Sequence, residues 1–337
     1  MTNAGMPIPD FFDAGKVGTV WRLPYEERAR QARDWANQHG LQPASADLTK
    51  TWLMLIDVQN TFCIPEFELY VGGRSGRGAV EDNVRLCEFI YRNLGTITQI
   101  TATMDTHMAM QLFHAIFFVD KHGEHPAPYT DIHASELQEG KWTFNPALAS
   151  QFDIAPEYGQ QMMIHYAEGL EKKSKYALTI WPYHAMLGGI GHTLVSSVEE
   201  ALFFHAVARH SQTDIVTKGN TPFTESYSAI GPEVLAGPMD EQLGKRDQKF
   251  IQQLQECDRL IVAGQAKSHC VAWTVSDLLD DIMLADPQLA KKVYLLEDCS
   301  SPVVVPGVVD HTDAADAAYE RFASAGMNIA KSSEIIK

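Results

Sequence analysis

The chain has 337 residues, 45% of them hydrophobic, enough to bury a large core as one domain or as one domain carrying insertions. Its 27 Lys and Arg stand against 43 Asp and Glu, and the resulting formal charge of −16 excludes unspecific binding to nucleic acid or anionic membranes, which requires clustered cations. No apolar run approaches the roughly 18 to 20 residues of a membrane span, and the polar start "MTNAGMPIPDFFDAGK" lacks a secretory layout, so the cytoplasm is the expected compartment.

The segment "PYEERARQARDWANQHG" is rich in helix formers and ends in glycine, which predicts a helix in an N-terminal extension covering residues 1–48. From "TWLMLIDVQ" the pattern changes to a short apolar run, the mark of a strand buried on both faces, and it ends in Asp57. A glycine-rich loop, "VGGRSGRG", follows. Its spacing fits neither the dinucleotide nor the P-loop pattern, so it is read as a surface turn. The helical "AVEDNVRLCEFIYRNLG" and the strand "TQITATMD" complete a βαβ unit. An irregular stretch rich in His, Pro and aromatics, at about 108–180, then reads as a lid-like insertion, because long irregular segments in compact domains are usually binding loops. The helix "SSVEEALFFHAVARH" returns the chain to strands at "TDIVTKG", "DRLIVAG" and "KVYLLEDC". Helices are expected over "MDEQLGKRDQKFIQQLQEC", "SHCVAWTVSDLLDDIML" and "HTDAADAAYERFASAG". The predicted fold is a three-layer α/β/α domain over 49–337, with a mostly parallel, doubly wound sheet.

In such sheets ligands bind beyond the carboxyl ends of the strands, where Asp57, Asp105, Lys218 and the turn before Cys270 all fall. Five cysteines (Cys63, Cys87, Cys257, Cys270 and Cys299) lack C-x-x-C spacing, which argues for free thiols rather than a disulfide framework or zinc module. Cys270 is placed in the first turn of a helix, where unpaired N–H groups favour a thiolate. Cys87, Cys257 and Cys299 are read as buried apolar groups. A carboxylate that accepts the thiol proton and a cation that steadies the anions would complete the set, and Asp57 and Lys218 have those chemistries. The D-x-H pair Asp105 and His107, with His184 of "WPYHAM", suits a borderline divalent ion such as zinc, manganese or iron. Most of the thirteen histidines, including His122, His125, His192, His205 and His210, are left as non-ligands.

Together, "LIDVQNTFC", "TMDTH", "WPYHA", "VTKGNTPFTESYSAI" and "VAGQAKSHCV" resemble, in family order, the isochorismatase-like cysteine hydrolases, and among them nicotinamidases most of all. The resemblance brackets roughly residues 52–301. It implies a catalytic triad of Cys270, Asp57 and Lys218, and a metal held by Asp105, His107 and His184. It also implies a cis peptide at Gln265–Ala266, with the Ala266 and Cys270 amides aimed at an oxyanion. The implied reaction turns nicotinamide or a similar small amide into the acid and ammonia through a Cys270 thioester, which places the chain in NAD metabolism. A homo-oligomer is the family's usual state, and no nucleic-acid or membrane partner is expected.

The chain departs from that pattern in two places. Thr106 and Met108 replace the usual neighbours of the D-x-H pair, and the long interval after it offers His114, Glu124 and Asp131 as a further ligand, with His114 preferred for "FHAIFF". Lys267 and His269 are expected to add positive charge beside the thiolate or to face substrate. Alternative readings are a related amidase acting on another small amide or N-carbamoyl compound, and a non-catalytic binding protein of the same fold.

Overall fold

The computed structural model describes residues 5–172 and 176–334; the first four residues of the extension, 173–175 of the insertion and the last three residues lie outside it. The chain divides into two units: Met1–Met104, Ile190–Val216 and Gln248–Lys337 form one, and Asp105–Gly189 with Thr217–Asp247 form the other.

The first unit is built on a six-stranded sheet. Its strands are β1 (Thr51–Ile56), β2 (Gln99–Asp105), β3 (Asp214–Lys218), β4 (Arg259–Gly264), β5 (Val293–Leu296) and β6 (Asn328–Ala330), in the order β6-β5-β4-β1-β2-β3. Pairings of β1 with β2 and β4, of β4 with β5 and of β5 with β6 are all parallel. The strand order reverses between β1 and β4, which makes their carboxyl ends the topological switch point. Leu53, Leu55, Ile56, Ile261, Val262 and Ala263 are buried, as apolar runs in a parallel sheet covered on both faces must be. β6 was not expected from the sequence; its three residues are too few to show a period. β2 and β3 hand their last residues, Asp105 and Thr217 with Lys218, to the second unit.

The longer helices of the first unit are α1 (Tyr25–His39), α2 (Gly78–Arg92), α3 (Ser196–Arg209), α4 (Lys249–Glu256), α5 (Ala272–Ala285) and α6 (Thr312–Ser324). α1 stops where the sequence predicts, at Gly40, whose φ of 62° lets its N–H cap the last turn. α1 is fastened to α3 by a buried Arg28–Glu200 pair, and Ser196 Oγ bridges the Trp21 backbone. The helix expected over 239–257 forms only as α4. Upstream of it, Asp240 is left-handed at φ 59° and Glu241 accepts the Met239 N–H, closing a turn instead.

The second unit contains two short antiparallel pairs, Phe118–Val119 with Thr143–Phe144 and Asp131–Ile132 with Leu178–Thr179. Its 17-residue helix Pro156–Lys172 lies in a stretch read from sequence as irregular. Both glycines of the helix have a packing reason: a Cβ on Gly159 would sit 2.5 Å from the Phe144 ring, and one on Gly169 would sit 2.8 Å from Val234 Cγ2.

Two positions of the first unit yield tests. Gly264 has φ 120°, and a Cβ there would lie 2.1 Å from the Ile56 carbonyl oxygen. Gly264→Ala should therefore cost about 3 kcal/mol or more, or prevent folding, as read by urea unfolding. His205 in α3 is fully buried with Nε2 2.9 Å from the Ile97 carbonyl, and burial pushes its pKa down from 6.5 to about 4. The unfolded chain protonates first, so this contribution is whole above pH 6.5 and is lost as pH falls through 4. The loss amounts to about 3 kcal/mol. His205→Gln should flatten that part of the stability profile in denaturant titrations at pH 7 and pH 4.

Candidate active-site residues and metal centre

In the first unit, the ends of β1 and β4 are locked together. Ile56 pairs with Gly264, and the Gln265 N–H donates to the Ile56 carbonyl at 2.8 Å. Asp57, fully buried, follows β1 with φ 47°, a left-handed conformation uncommon for a non-glycine residue. Thr103 of β2 holds it from two sides: the Asp57 N–H donates to Thr103 Oγ1 at 3.1 Å, and that hydroxyl donates to Asp57 Oδ1 at 2.6 Å. Nothing in the sequence singled out Thr103, because its role appears only when β2 is set beside β1.

After β4 the Gln265–Ala266 peptide is cis, as the family resemblance implied. The chain then makes a π-helical turn, Lys267–Val271, before α5 begins. Cys270 therefore sits in a wide turn ahead of the α-helix rather than in the α-helix itself, an arrangement that often marks functional positions. Its sulfur is buried and lies within 4.8 Å of an Asp57 carboxylate oxygen. Ala266 is only 5% exposed, and its N–H has no hydrogen-bond acceptor among the described residues.

The other thiols lie in apolar surroundings. Burial pushes Cys257 up to about 11 and raises Cys63, Cys87 and Cys299 further. The Lys267 ammonium is bound to Asp316 at 2.7 Å and lies over the Tyr319 ring, while burial and then the neighbouring His311 hold His269 well below its ordinary pKa, in the neutral form.

In the second unit, Asp105, His107, His114, His184 and Lys218 form one buried cluster. His107 Nε2 is 3.0 Å and His184 Nε2 3.8 Å from the Asp105 carboxylate, and ring nitrogens of His107, His114 and His184 fall within 4.8 Å of one another. The loops carrying these residues are laced together: the His107 N–H donates to the Ala185 carbonyl, and the Leu187 N–H to that of His107. The Trp181 indole N–H donates to the Tyr227 hydroxyl at 2.9 Å, tying the loop of His184 to the segment after β3.

The donors fit a divalent cation. His114 Nδ1 faces the Ala109 carbonyl at 3.1 Å and His184 Nδ1 that of Pro182 at 2.8 Å, so each ring carries its proton on Nδ1 and turns the Nε2 lone pair inward. His114 Nε2 is buried with no hydrogen-bond partner. Burial, reinforced by the other imidazoles, lowers His184 to about 3 and His114 to about 4, leaving both neutral as ligands must be. Burial alone would raise the Asp105 carboxyl, but His107, Lys218 and His184 together hold it well below the usual range. Gly219, at φ 82°, keeps the space open: a Cβ there would stand 2.6 Å from Asp105 Oδ1 and 2.9 Å from His107 Nε2. Glu124 and Asp131 lie elsewhere, their neighbourhoods being the Asp120 turn and Thr179.

Lys218 donates to the Ser226 carbonyl at 2.9 Å and lies 3.0 Å from Asp105 Oδ1. Close by, Glu225 is buried and its carboxyl is pushed well up by burial and then by Asp105. It was not singled out from the sequence, although it lies within the "VTKGNTPFTESYSAI" stretch, where only Lys218 was given a role.

No family model matches the sequence, and no curated protein matches it. Solved structures do. The nicotinamidase/pyrazinamidase of Acinetobacter baumanii superposes with a TM-score of 0.50 at 17% identity, over 84% of this chain and 97% of that one. The yeast nicotinamidase gives 0.49 at 18% identity, covering 83% and 98%. A zinc complex of the Pyrococcus horikoshii pyrazinamidase gives 0.42 at 17% identity, covering 84% and 99%. The Acinetobacter match establishes a shared fold, in agreement with the α/β isochorismatase-like architecture expected from the sequence, and at that identity it establishes the fold alone.

His114→Ala should weaken binding of added Zn²⁺ at least as much as His184→Ala, by about 10-fold to 100-fold, in a competition titration against a chromogenic chelator. Unchanged affinity in either variant would remove that residue from the ligand set.

Proposed function

We propose that the chain is a metal-dependent cysteine amidohydrolase, nicotinamidase-like, that converts nicotinamide or a similar small amide to the acid and ammonia. The observation that carries this reading is the Cys270 thiol within reach of the buried Asp57 carboxylate, one turn beyond the N–H of buried Ala266, which lacks an internal acceptor. Such a donor costs stability unless something accepts from it, and an oxyanion is the acceptor this chemistry produces.

In the proposed reaction Asp57 takes the Cys270 proton as the sulfur attacks the amide carbon, and the carbonyl oxygen becomes an oxyanion beside the Ala266 and Cys270 amides. Asp57 then gives the proton to the departing amine, ammonia leaves, and a thioester remains. Asp57 next deprotonates a water that attacks the thioester, and the returning proton restores the thiol as the acid departs. Lys218, assigned to the same triad by the sequence resemblance, supplies a fixed positive charge. Asp105, His107, His114 and His184 would hold the divalent ion, and one carboxylate with three imidazoles suits zinc, with manganese and iron as alternatives. The ion's contribution when bound is to hold a heteroatom of the substrate and so orient its carboxamide.

A second reading, hydrolysis of another small amide or an N-carbamoyl compound, is favoured by the exposed apolar side chains beside the metal ligands. Met108 follows His107, the Tyr183 ring lies 4.6 Å from that of His114, and Leu187 is bonded through its backbone to His107. These surroundings would receive an apolar substituent that nicotinamide lacks. The same proposal includes one hydrolase domain over 49–337 with a helical extension over 1–48 and a lid-like segment at 108–180, a homo-oligomeric state and a cytoplasmic setting. No helix among the described residues is long and apolar enough to cross a membrane.

Ammonia release from nicotinamide should require both the thiol and the metal. Cys270→Ala is expected to abolish turnover while leaving the thermal unfolding profile intact, and chelator treatment to suppress activity until Zn²⁺ is restored. Turnover by the Cys270→Ala protein at the wild-type rate would sink the thioester mechanism.

A further inference from the structure

The glycine-rich loop and a buried glutamine are both left without a role by the chemistry above, and the structure joins them. Gln265 is fully buried at the residue just before Ala266. Both ends of its amide are engaged: Nε2 donates to Asp82 Oδ2 at 2.8 Å, and Oε1 accepts the Ser301 N–H at 3.2 Å. Ser301 in turn accepts the Lys267 N–H on its carbonyl at 2.8 Å, so a single residue grips the chain on both sides of Ala266. Further along, Ser268 Oγ accepts the Val303 N–H at 3.0 Å.

Asp82, itself only 2% exposed, is held from α2 by Arg85 at 2.8 Å. Ser301 can approach because residue 78, the last of "VGGRSGRG", has no side chain: a Cβ there would lie 2.4 Å from Ser301 Oγ and 2.8 Å from its Cβ. The loop's final glycine thus makes room for the strut behind the nucleophile turn.

We propose that Asp82, Gln265 and Ser301, with the space left by Gly78, form a buried brace whose role is to fix the Ala266 amide as an oxyanion donor. These are positioning residues, since none of them touches the reacting atoms. The inference rests on the amidohydrolase reading. A buried glutamine whose two ends are both bonded is costly to disturb, because breaking either bond leaves a polar group without water. That rigidity is what an oxyanion donor needs, since it must be in place before charge develops.

The test separates positioning of the amide from support of the thiol. Gln265→Leu keeps the volume and removes both bonds; Asp82→Asn keeps the shape and removes the charge; Gly78→Ala pushes Ser301 away while leaving every bonding group present. Each is compared with wild type for kcat and KM of amide hydrolysis and for the rate of Cys270 alkylation by iodoacetamide, located by mass spectrometry. Alkylation needs the thiolate but forms no oxyanion. The expected result is a fall in kcat, about 10²-fold for Gln265→Leu and about 10-fold for the milder changes, with KM and the alkylation rate within about twofold of wild type. The brace is overturned if kcat is unchanged in folded Gln265→Leu and Gly78→Ala proteins. It is equally overturned if alkylation slows in step with kcat, which would mean that the network supports Cys270 itself. A wild-type protein that alkylates rapidly yet releases no ammonia from nicotinamide or other small amides would instead refute the amidohydrolase reading, and the brace's role with it.

Discussion

The close approach of β4 to β1 is the constraint on which the first unit depends. Gly264 lies against the Ile56 backbone with no room for a methyl group, and the next N–H bonds to the Ile56 carbonyl. Two strands from distant parts of the chain therefore end level with each other at the point where strand order reverses. The consequence is chemical as well as architectural. The carboxylate after one strand and the thiol after the other are brought within a few ångströms. Thr103 fixes Asp57 from the neighbouring strand, and the turn of Lys267–Val271 fixes Cys270.

The second unit solves a different problem. A buried carboxylate, three buried imidazoles and a buried ammonium occupy a small volume, and each would be expensive alone. The arrangement is tolerable because the Asp105 carboxylate faces the Lys218 ammonium and lies against the His107 ring, while the backbone carbonyls of Ala109, Pro182 and Ser226 take up the outward-facing protons of His114, His184 and Lys218. Backbone carbonyls in that role leave the inward nitrogens as acceptors, the property a cation-binding set requires.

Much of this was legible in the sequence. The strands whose residues are apolar throughout, such as "LMLI" and "LIVAG", announced a parallel sheet, and the reactive residues were found because they end strands. Three kinds of feature were not legible. Thr103, Gln265 and Asp82 act by hydrogen bonds between segments far apart in sequence, and a threonine, glutamine or aspartate in isolation carries no sign of such a partner. The helix Pro156–Lys172 carries two interior glycines, Gly159 and Gly169, whose purpose appears only beside Phe144 and Val234. His114 was one of three candidates for a further ligand until folding placed it with His107 and His184 and sent Glu124 and Asp131 elsewhere.

The strand order carries a consequence for how the molecule is made. β1 is finished at Ile56, but its neighbour β4 begins only at Arg259, so one side of this central strand stays unpaired until most of the chain has been synthesised. Closing so long a loop is slow, and contacts of this kind place a chain among the slower folders. Meanwhile all the residues of the second unit have already been made, since its last stretch ends at Asp247. Synthesis from the amino terminus thus delivers the complete set of candidate metal ligands before the cysteine, and leaves the strand edge awaiting β4 as the part of the nascent chain most in need of protection.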